Sequence, residues 1–255
     1  MNEKERMVEY YNKFPKWGYA PDGANLERIT VTQSFIPAEV NSILDLGCGD
    51  GAITNQFAEK GFNVFSADFS SAAIQFAKGK RVISNVNDVP FANQQFDAVV
   101  CAETIEHLPE GVYEKALSEI ERITKQYIII STPNQEYLPD SNIRCGKCGN
   151  LFHRNLHTRS LDRNTHKTLF QNFELIKTIG VRAWYQSPFV VNFQQKNLKT
   201  YTPGRNIICP SCGHINSDKP GVLKYLIFGL KHAILRFIPG AKRSRWIVSF
   251  YKRKN

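Results

Sequence analysis

The sequence predicts an α/β fold: a parallel sheet with helices on both faces. Three observations predict it. Up to about residue 133, short apolar runs alternate with helix-length stretches. The first run, SILDLG at 42–47, opens into a glycine-rich turn, as strands do where open parallel sheets bind ligands. The fifth run, QYIIISTPN at 126–134, is rich in β-branched residues, which favour strands.

Between these two runs, NVFSADFS (63–70), RVISNV (81–86) and FDAVVCAE (96–103) read as strands two to four. The intervening segments AITNQFAEKG (52–61), SAAIQFAKGK (71–80) and EGVYEKALSEIERITK (110–125) read as helices. In the last of these, Val112, Leu117, Ile120 and Ile123 share one face, opposite the charges. After residue 134 the alternation breaks. Residues 135–158 are turn-rich, and LDRNTHKTLFQNF (161–173) reads as a helix that Asp162 starts. FELIKTIGVRAW (173–184) is a sixth strand, and 185–220 reads as irregular, with Pro188, Pro203, Pro210 and Pro220. VLKYLIFGLKHAILRFI (222–238) is a helix closed by Pro239-Gly240, and RWIVSFYKRK (245–254) is a seventh strand. Three parts result: a core with N-terminal helices (1–134), an insertion-bearing part (135–220) and a basic helix and strand (221–255).

At 255 residues and 42% hydrophobic content the chain can bury a sizeable core, which excludes wholesale disorder. No apolar run reaches the roughly 18 residues of a membrane span, and MNEKERMVEYYNKF lacks the apolar stretch of a signal peptide. A cytoplasmic location is expected. The formal charge of +10 is unevenly placed: from Lys219 onward there are ten Lys and Arg and no Asp or Glu. That end fits an anionic partner (phospholipid, a phosphorylated substrate or nucleic acid) or a solvated basic tail.

The sharpest motif is LDLGCGDG at 44–51. Gly47, Gly49 and Gly51 allow a tight turn and close approach to a ligand. The triphosphate-binding pattern G-x-x-x-x-G-K-[ST] is absent. Asp68, about twenty residues on, is placed to accept two ribose hydroxyls, and Asp88 with Val89 to meet an adenine amino group. With these acids, residues 40–134 resemble the class I S-adenosylmethionine-dependent methyltransferases. The resemblance implies their Rossmann-like seven-stranded sheet and S-adenosylmethionine as cofactor. It also implies a cofactor site at Asp45, Gly47, Gly49, Gly51, Asp68, Asp88, Val89 and Glu103. Cys48 and Cys101 read as packing residues.

Methyl transfer to oxygen needs alignment and a base. Glu103, Glu106 and His107 follow the fourth strand at E-x-x-E-H spacing, which on a helix shares one face. CAETIEHL resembles the ubiquinone-pathway O-methyltransferases and the small-RNA 2′-O-methyltransferases. That resemblance implies a divalent metal on Glu103, Glu106 and His107, with His157 as a later histidine after Ser131-Thr132-Pro133-Asn134. Catalysis by His157 or His107 as a metal-free base, and a loop-capping role for Glu106 and His107, stay open.

Cys145-Gly-Lys-Cys148 and Cys209-Pro-Ser-Cys212 are two C-x-x-C pairs, each followed by glycine. Together they fit a structural zinc site bracing a small insertion lobe, against a redox pair. Just beyond the first pair, His157 and Arg159 are expected to face the methyl acceptor, with His153 uncommitted. The basic C-terminal helix is expected to cover the sheet or to contact a membrane peripherally. The expected activity is O-methylation of a small-molecule, sugar or lipid-linked glycan hydroxyl. RNA 2′-O-methylation and a non-catalytic cofactor-binding adaptor are the alternatives.

Overall fold

A computed structural model describes residues 10–13, 17–18, 23–198, 201, 207–216 and 222–255. Most of the N-terminal stretch expected to lack a leader, together with Pro203, Lys219 and Pro220, lies outside them. The sheet forms as the apolar runs require. Strands β1 (Ser42–Leu46), β2 (Asn63–Asp68), β3 (Lys80–Ile83), β4 (Phe96–Ala102) and β5 (Thr124–Pro133) are parallel neighbours in the order β3-β2-β1-β4-β5. The predicted sixth and seventh strands are Phe173–Tyr185 and Lys242–Arg253. The last strand inserts between β5 and the sixth, antiparallel to both, and completes seven strands.

Alternation along each strand sends side chains to opposite faces. Leu44, Leu46, Ile128 and Ile130 join one buried cluster; Ile43, Ile129 and Val248 join the other. Each fully buried aliphatic side chain contributes about 1.5–3 kcal/mol. Helix α1 (Gly23–Ser34) and helix α2 (Thr54–Glu59) supply Ile29 and Phe57 to the second cluster. Helix α3 (Val112–Ile123) supplies Ala116, Ile120 and Ile123 to the first.

Three helices differ from expectation. SAAIQFAKGK holds only a 3-10 turn, Ile74–Phe76. Ala77 is extended, and at Gly79 (φ 79°) a Cβ would meet the Val64 carbonyl oxygen at 2.3 Å, so the helix cannot continue. The helix at 161–173 is only α4 (Arg163–Lys167): Asp162 caps it by accepting the Thr165 N–H at 2.7 Å, and Leu169 and Phe170 then turn into the core. The irregular stretch 185–220 contains α5 (Pro188–Asn197), where proline occupies the first turn, its tolerated place.

The insertions form two small hairpins. β6 (Asn142–Arg144) pairs with β7 (Leu151–His153), and further on two two-residue strands pair, Ile207–Ile208 with Ile215–Asn216. Their shared buried cluster is Ile143, Cys145, Phe152, Ile207 and Cys209, far smaller than either face of the sheet. Helix α6 (Val222–Leu235) leads into the last strand, and the buried Lys231 on it pairs with Asp140. Among the described residues no helix is long and apolar enough to cross a membrane.

Candidate active site

The parallel strands deliver their C-terminal ends to one edge, and the predicted cofactor residues gather there. After β1 the chain turns through Gly47 (φ 74°) and Gly51 (φ 79°), a left-handed conformation that glycine adopts freely. A Cβ on Gly47 would meet Thr104 Oγ1 at 2.4 Å, and one on Gly51 the Ala77 Cα at 2.5 Å. Asp68, at the end of β2, is 7% exposed. Its two carboxylate oxygens accept the Gly49 N–H at 2.8 Å and the Ser70 N–H at 2.7 Å. Each oxygen keeps a lone pair for a further donor, which fits a ribose diol. Burial raises the Asp68 pKa, and the two backbone donors oppose that shift.

Asp45 turns inward and accepts the Thr54 hydroxyl at 2.5 Å, tying the glycine turn to the start of α2. Burial pushes its pKa up to about 6. Asp88 is exposed in the turn after β3. The Val89 N–H is given to Glu119 Oε2 at 3.0 Å, fixing that turn against α3. Tyr11 and Trp17 lie over the turn: Trp17 faces Gly49 and donates to the Tyr11 carbonyl, and the Tyr11 hydroxyl meets His107 Nδ1 at 3.1 Å.

Beyond β4 the structure separates the residues of the E-x-x-E-H motif. Glu103 has φ 53°, and this left-handed turn aims its carboxylate at the Ser131 hydroxyl (3.1 Å) and Trp246 Nε1 (2.7 Å). It therefore leaves the expected metal set. Glu106, His107 and His157 do converge, with one potential ligand atom each lying within 4.8 Å of the others. Glu106 is 1% exposed, and neither of its carboxylate oxygens has a hydrogen-bond partner. Burial, with Glu103 nearby, raises its pKa far above the carboxylate range. His107 is held neutral by burial, its pKa lowered to about 3.

His157 reaches this group because its neighbours clamp onto the loop after β4. The Thr158 N–H donates to the Glu106 carbonyl at 2.9 Å, and Arg159 Nη2 to the Leu108 carbonyl at 2.6 Å. Arg159, expected at the acceptor, instead holds this loop, with its guanidinium over the Tyr113 ring at 3.8 Å. The ring of His157 packs edge-on against His107, with centroids 4.6 Å apart.

One partner had no motif to announce it. Glu136, three residues past the end of β5, receives His157 Nδ1 at 2.5 Å and His153 Nε2 at 3.2 Å. These three form a second group of converging ligand atoms. Burial works to raise the Glu136 pKa, but the two histidines outweigh it and hold the carboxylate well below its usual range. The signal that could have found it is positional: an acid at a strand exit on the ligand edge, the same logic that singled out Glu103. Glu103, Glu136 and His157 line a cavity of about 500 Å³ with Arg154, Arg245, Trp184 and Trp246 among its other walls. The Arg245 guanidinium lies over the Trp246 ring at 4.3 Å and the Trp184 ring at 5.2 Å.

The four cysteines meet as the spacing predicts. Sγ contacts of 3.7 Å join Cys145 to Cys212 and Cys148 to Cys209, across the two turns, and all four sulfurs lie within 4.8 Å of one another. The turns are alike. Gly149 and Gly213 take φ 73° and 68°, and their N–H groups return to the carbonyls of Cys145 and Cys209. Tetrahedral zinc with bonds of about 2.3 Å spaces its sulfurs about 3.8 Å apart. The donor set fits that ion.

Residues 44–130 match the family model of a methyltransferase domain. An uncharacterized protein of Methanocaldococcus jannaschii is 31% identical over 134 residues, 51% of this chain and 56% of that protein. The ubiquinone biosynthesis O-methyltransferase of Rickettsia bellii is 35% identical over 102 residues, 36% of this chain and 42% of the relative. The chain thus spans about half the length of the curated relatives it matches. Among solved structures, the Burkholderia thailandensis 1,6-didemethyltoxoflavin-N1-methyltransferase, with that compound and S-adenosylhomocysteine bound, shares the fold. It gives a TM-score of 0.57 at 12% identity over 99% of this chain and 87% of that one. The family match falls on the segment that carries the glycine turn and its acids at the strand ends, and it is a match to a methyltransferase domain.

Proposed function

We propose that the chain methylates a hydroxyl of a small molecule, with a sugar or lipid-linked glycan as the acceptor class. S-adenosylmethionine, held by the glycine turn and Asp68, supplies an electrophilic methyl group. The acceptor oxygen forms the new C–O bond as the C–S bond breaks, which leaves S-adenosylhomocysteine and a proton to be removed. His157 takes that proton. Glu136 holds Nδ1–H and so leaves the Nε2 lone pair as the base. Arg154 and Arg245 offer charge to an anionic group such as a phosphate, with Arg245 held against the rings of Trp184 and Trp246. The relative named a ubiquinone biosynthesis O-methyltransferase supports transfer to oxygen.

The observation that carries this reading is the Glu136–His157 pair in the wall of the same cavity as Glu103 and Trp246. The test is methyl incorporation from labelled S-adenosylmethionine into cell-extract fractions. His157→Ala should abolish incorporation and leave cofactor binding intact; normal turnover would remove the base. Incorporation that ribonuclease destroys would make RNA the acceptor instead.

A second reading concerns how the hydroxyl is activated. The orphaned carboxylate of Glu106, beside His107 and His157, favours a divalent ion held by these three. Such an ion would lower the pKa of a coordinated hydroxyl. Turnover lost to chelator and restored by Mg²⁺ or Mn²⁺ would select it. Zinc on Cys145, Cys148, Cys209 and Cys212 is a separate proposal. It would brace the lobe that carries Glu136, His153 and His157 around the acceptor.

A further inference from the structure

Helix α6 shows an outward face of the wrong polarity for water. Leu226, Leu230, Ile234 and Phe237, just past its end, are 64%, 63%, 45% and 86% exposed. At 100° per residue they fall within an arc of about 80°. Lys231 and Leu235, about 140° and 180° from Leu226, are buried, and Lys231 pairs with Asp140. The helix is therefore docked by its far side, lysine included, and turns an apolar stripe to solvent. A helix merely covering the sheet would do the reverse.

Two further features accompany the stripe. Phe189 and Phe193, one turn apart on α5, are 78% and 55% exposed. Helix α5 packs on the same 3-10 turn, Leu138–Ser141, that anchors α6: Gln195 donates to the Pro139 carbonyl and the Tyr137 hydroxyl to Asn192. Arg236, next to Phe237 in the chain, and Lys242 are exposed, within a segment that has ten basic and no acidic residues from Lys219 onward.

We infer that this face docks on an anionic lipid surface, with the aliphatic and aromatic side chains in the headgroup–acyl boundary and the basic residues at the phosphates. Charge decides against a second copy of the chain. Two such faces would bring like charge together, whereas an anionic bilayer complements both the stripe and its basic flank. The inner face of α6 carries Lys231, which lines the acceptor cavity with Asp140. Docking would set that cavity about one helix diameter, roughly 10 Å, from the lipid. That consequence rests on the methyl-transfer reading; the docking itself does not.

The test is co-sedimentation with vesicles of phosphatidylcholine alone or with about one-third phosphatidylglycerol, at roughly 0.1 M and roughly 0.5 M salt. Binding should require the anionic lipid, weaken at the higher salt, and fall at least about tenfold in the Leu230→Glu, Phe237→Glu double variant. Retained S-adenosylmethionine binding by that variant shows that it is folded and keeps the two readings separable. Absence of binding by the unaltered chain, or equal binding by the variant, overturns the inference. So does a dimer in solution that the double variant dissociates, which would make the stripe a contact between copies.

Discussion

Replacing Cys145 by serine tests the proposed clasp most sharply. The sulfurs of Cys145 and Cys212 and those of Cys148 and Cys209 are each 3.7 Å apart, against about 3.8 Å for a zinc tetrahedron. Serine removes one thiolate and leaves three. Among the described residues the lobe's own buried cluster holds Ile143, Phe152 and Ile207 besides two of the cysteines, with Leu156 and Cys212 against it, too little to hold the hairpins once the ion is lost. The β6–β7 hairpin runs directly into His153, which lies against Glu136 and His157. Relaxation of that hairpin by about 1 Å at the base corresponds to a loss of about a hundredfold in turnover. The cofactor turn packs on Thr104, Ala77 and Trp17, outside the lobe, so affinity for S-adenosylmethionine should hold. Elemental analysis, calorimetry and labelled-methyl incorporation read the three quantities. About one zinc per chain should fall to none, turnover should collapse, and cofactor affinity should stay within about threefold. Zinc retained in the variant, or turnover unaffected by its loss, would refute the reasoning.

Glu136→Gln keeps the shape but removes the charge that orients His157. A hydrogen bond to a charged group is worth about 1.5–3 kcal/mol, so turnover should fall about 10- to 150-fold with cofactor affinity unchanged, measured by labelled-methyl incorporation. Gly47→Ala places a Cβ 2.4 Å from Thr104 Oγ1 at φ 74°, and should cost about 1–3 kcal/mol of stability by denaturant unfolding as well as cofactor binding. His166 lies fully buried between the Thr132 and Ser249 hydroxyls, and burial lowers its pKa from 6.5 to about 4. Below pH 6.5 the unfolded chain takes up a proton that the folded chain refuses, so the stability this site holds above pH 6.5 is lost as pH falls toward 4. Between about pH 7 and pH 5 the loss should be about 2 kcal/mol, and His166→Gln should show a correspondingly shallower slope in denaturant midpoints.

The sheet was legible because its central strands β1, β4 and β5 are nearly continuous apolar runs buried on both faces, a pattern that few other arrangements produce. The glycine turn and Asp68 were legible for a related reason: their spacing repeats the geometry of a strand, a turn and the next strand. SAAIQFAKGK misled because helical periodicity carries no information about Gly79, whose position is set by the backbone of Val64. E-x-x-E-H misled because its spacing assumes one helical face, and the left-handed backbone at Glu103 breaks that face. Arg159 points back to the Leu108 carbonyl, a contact between segments 51 residues apart that no local pattern encodes. Glu136 escaped for the same reason. Its role exists only once the chain from β5 and the segment bearing His153 and His157 are folded against each other.

Binding of S-adenosylmethionine, measured by titration calorimetry on the purified chain and on Asp68→Asn, bears most directly on the whole account. The unaltered chain should bind the cofactor and its demethylated product. Affinity in the variant should fall at least about tenfold, since the amide lacks the charge and one of the two acceptor oxygens that hold the Gly49 and Ser70 N–H groups and would meet the ribose hydroxyls. Absence of binding by the unaltered chain, or equal affinity in the variant, would contradict it.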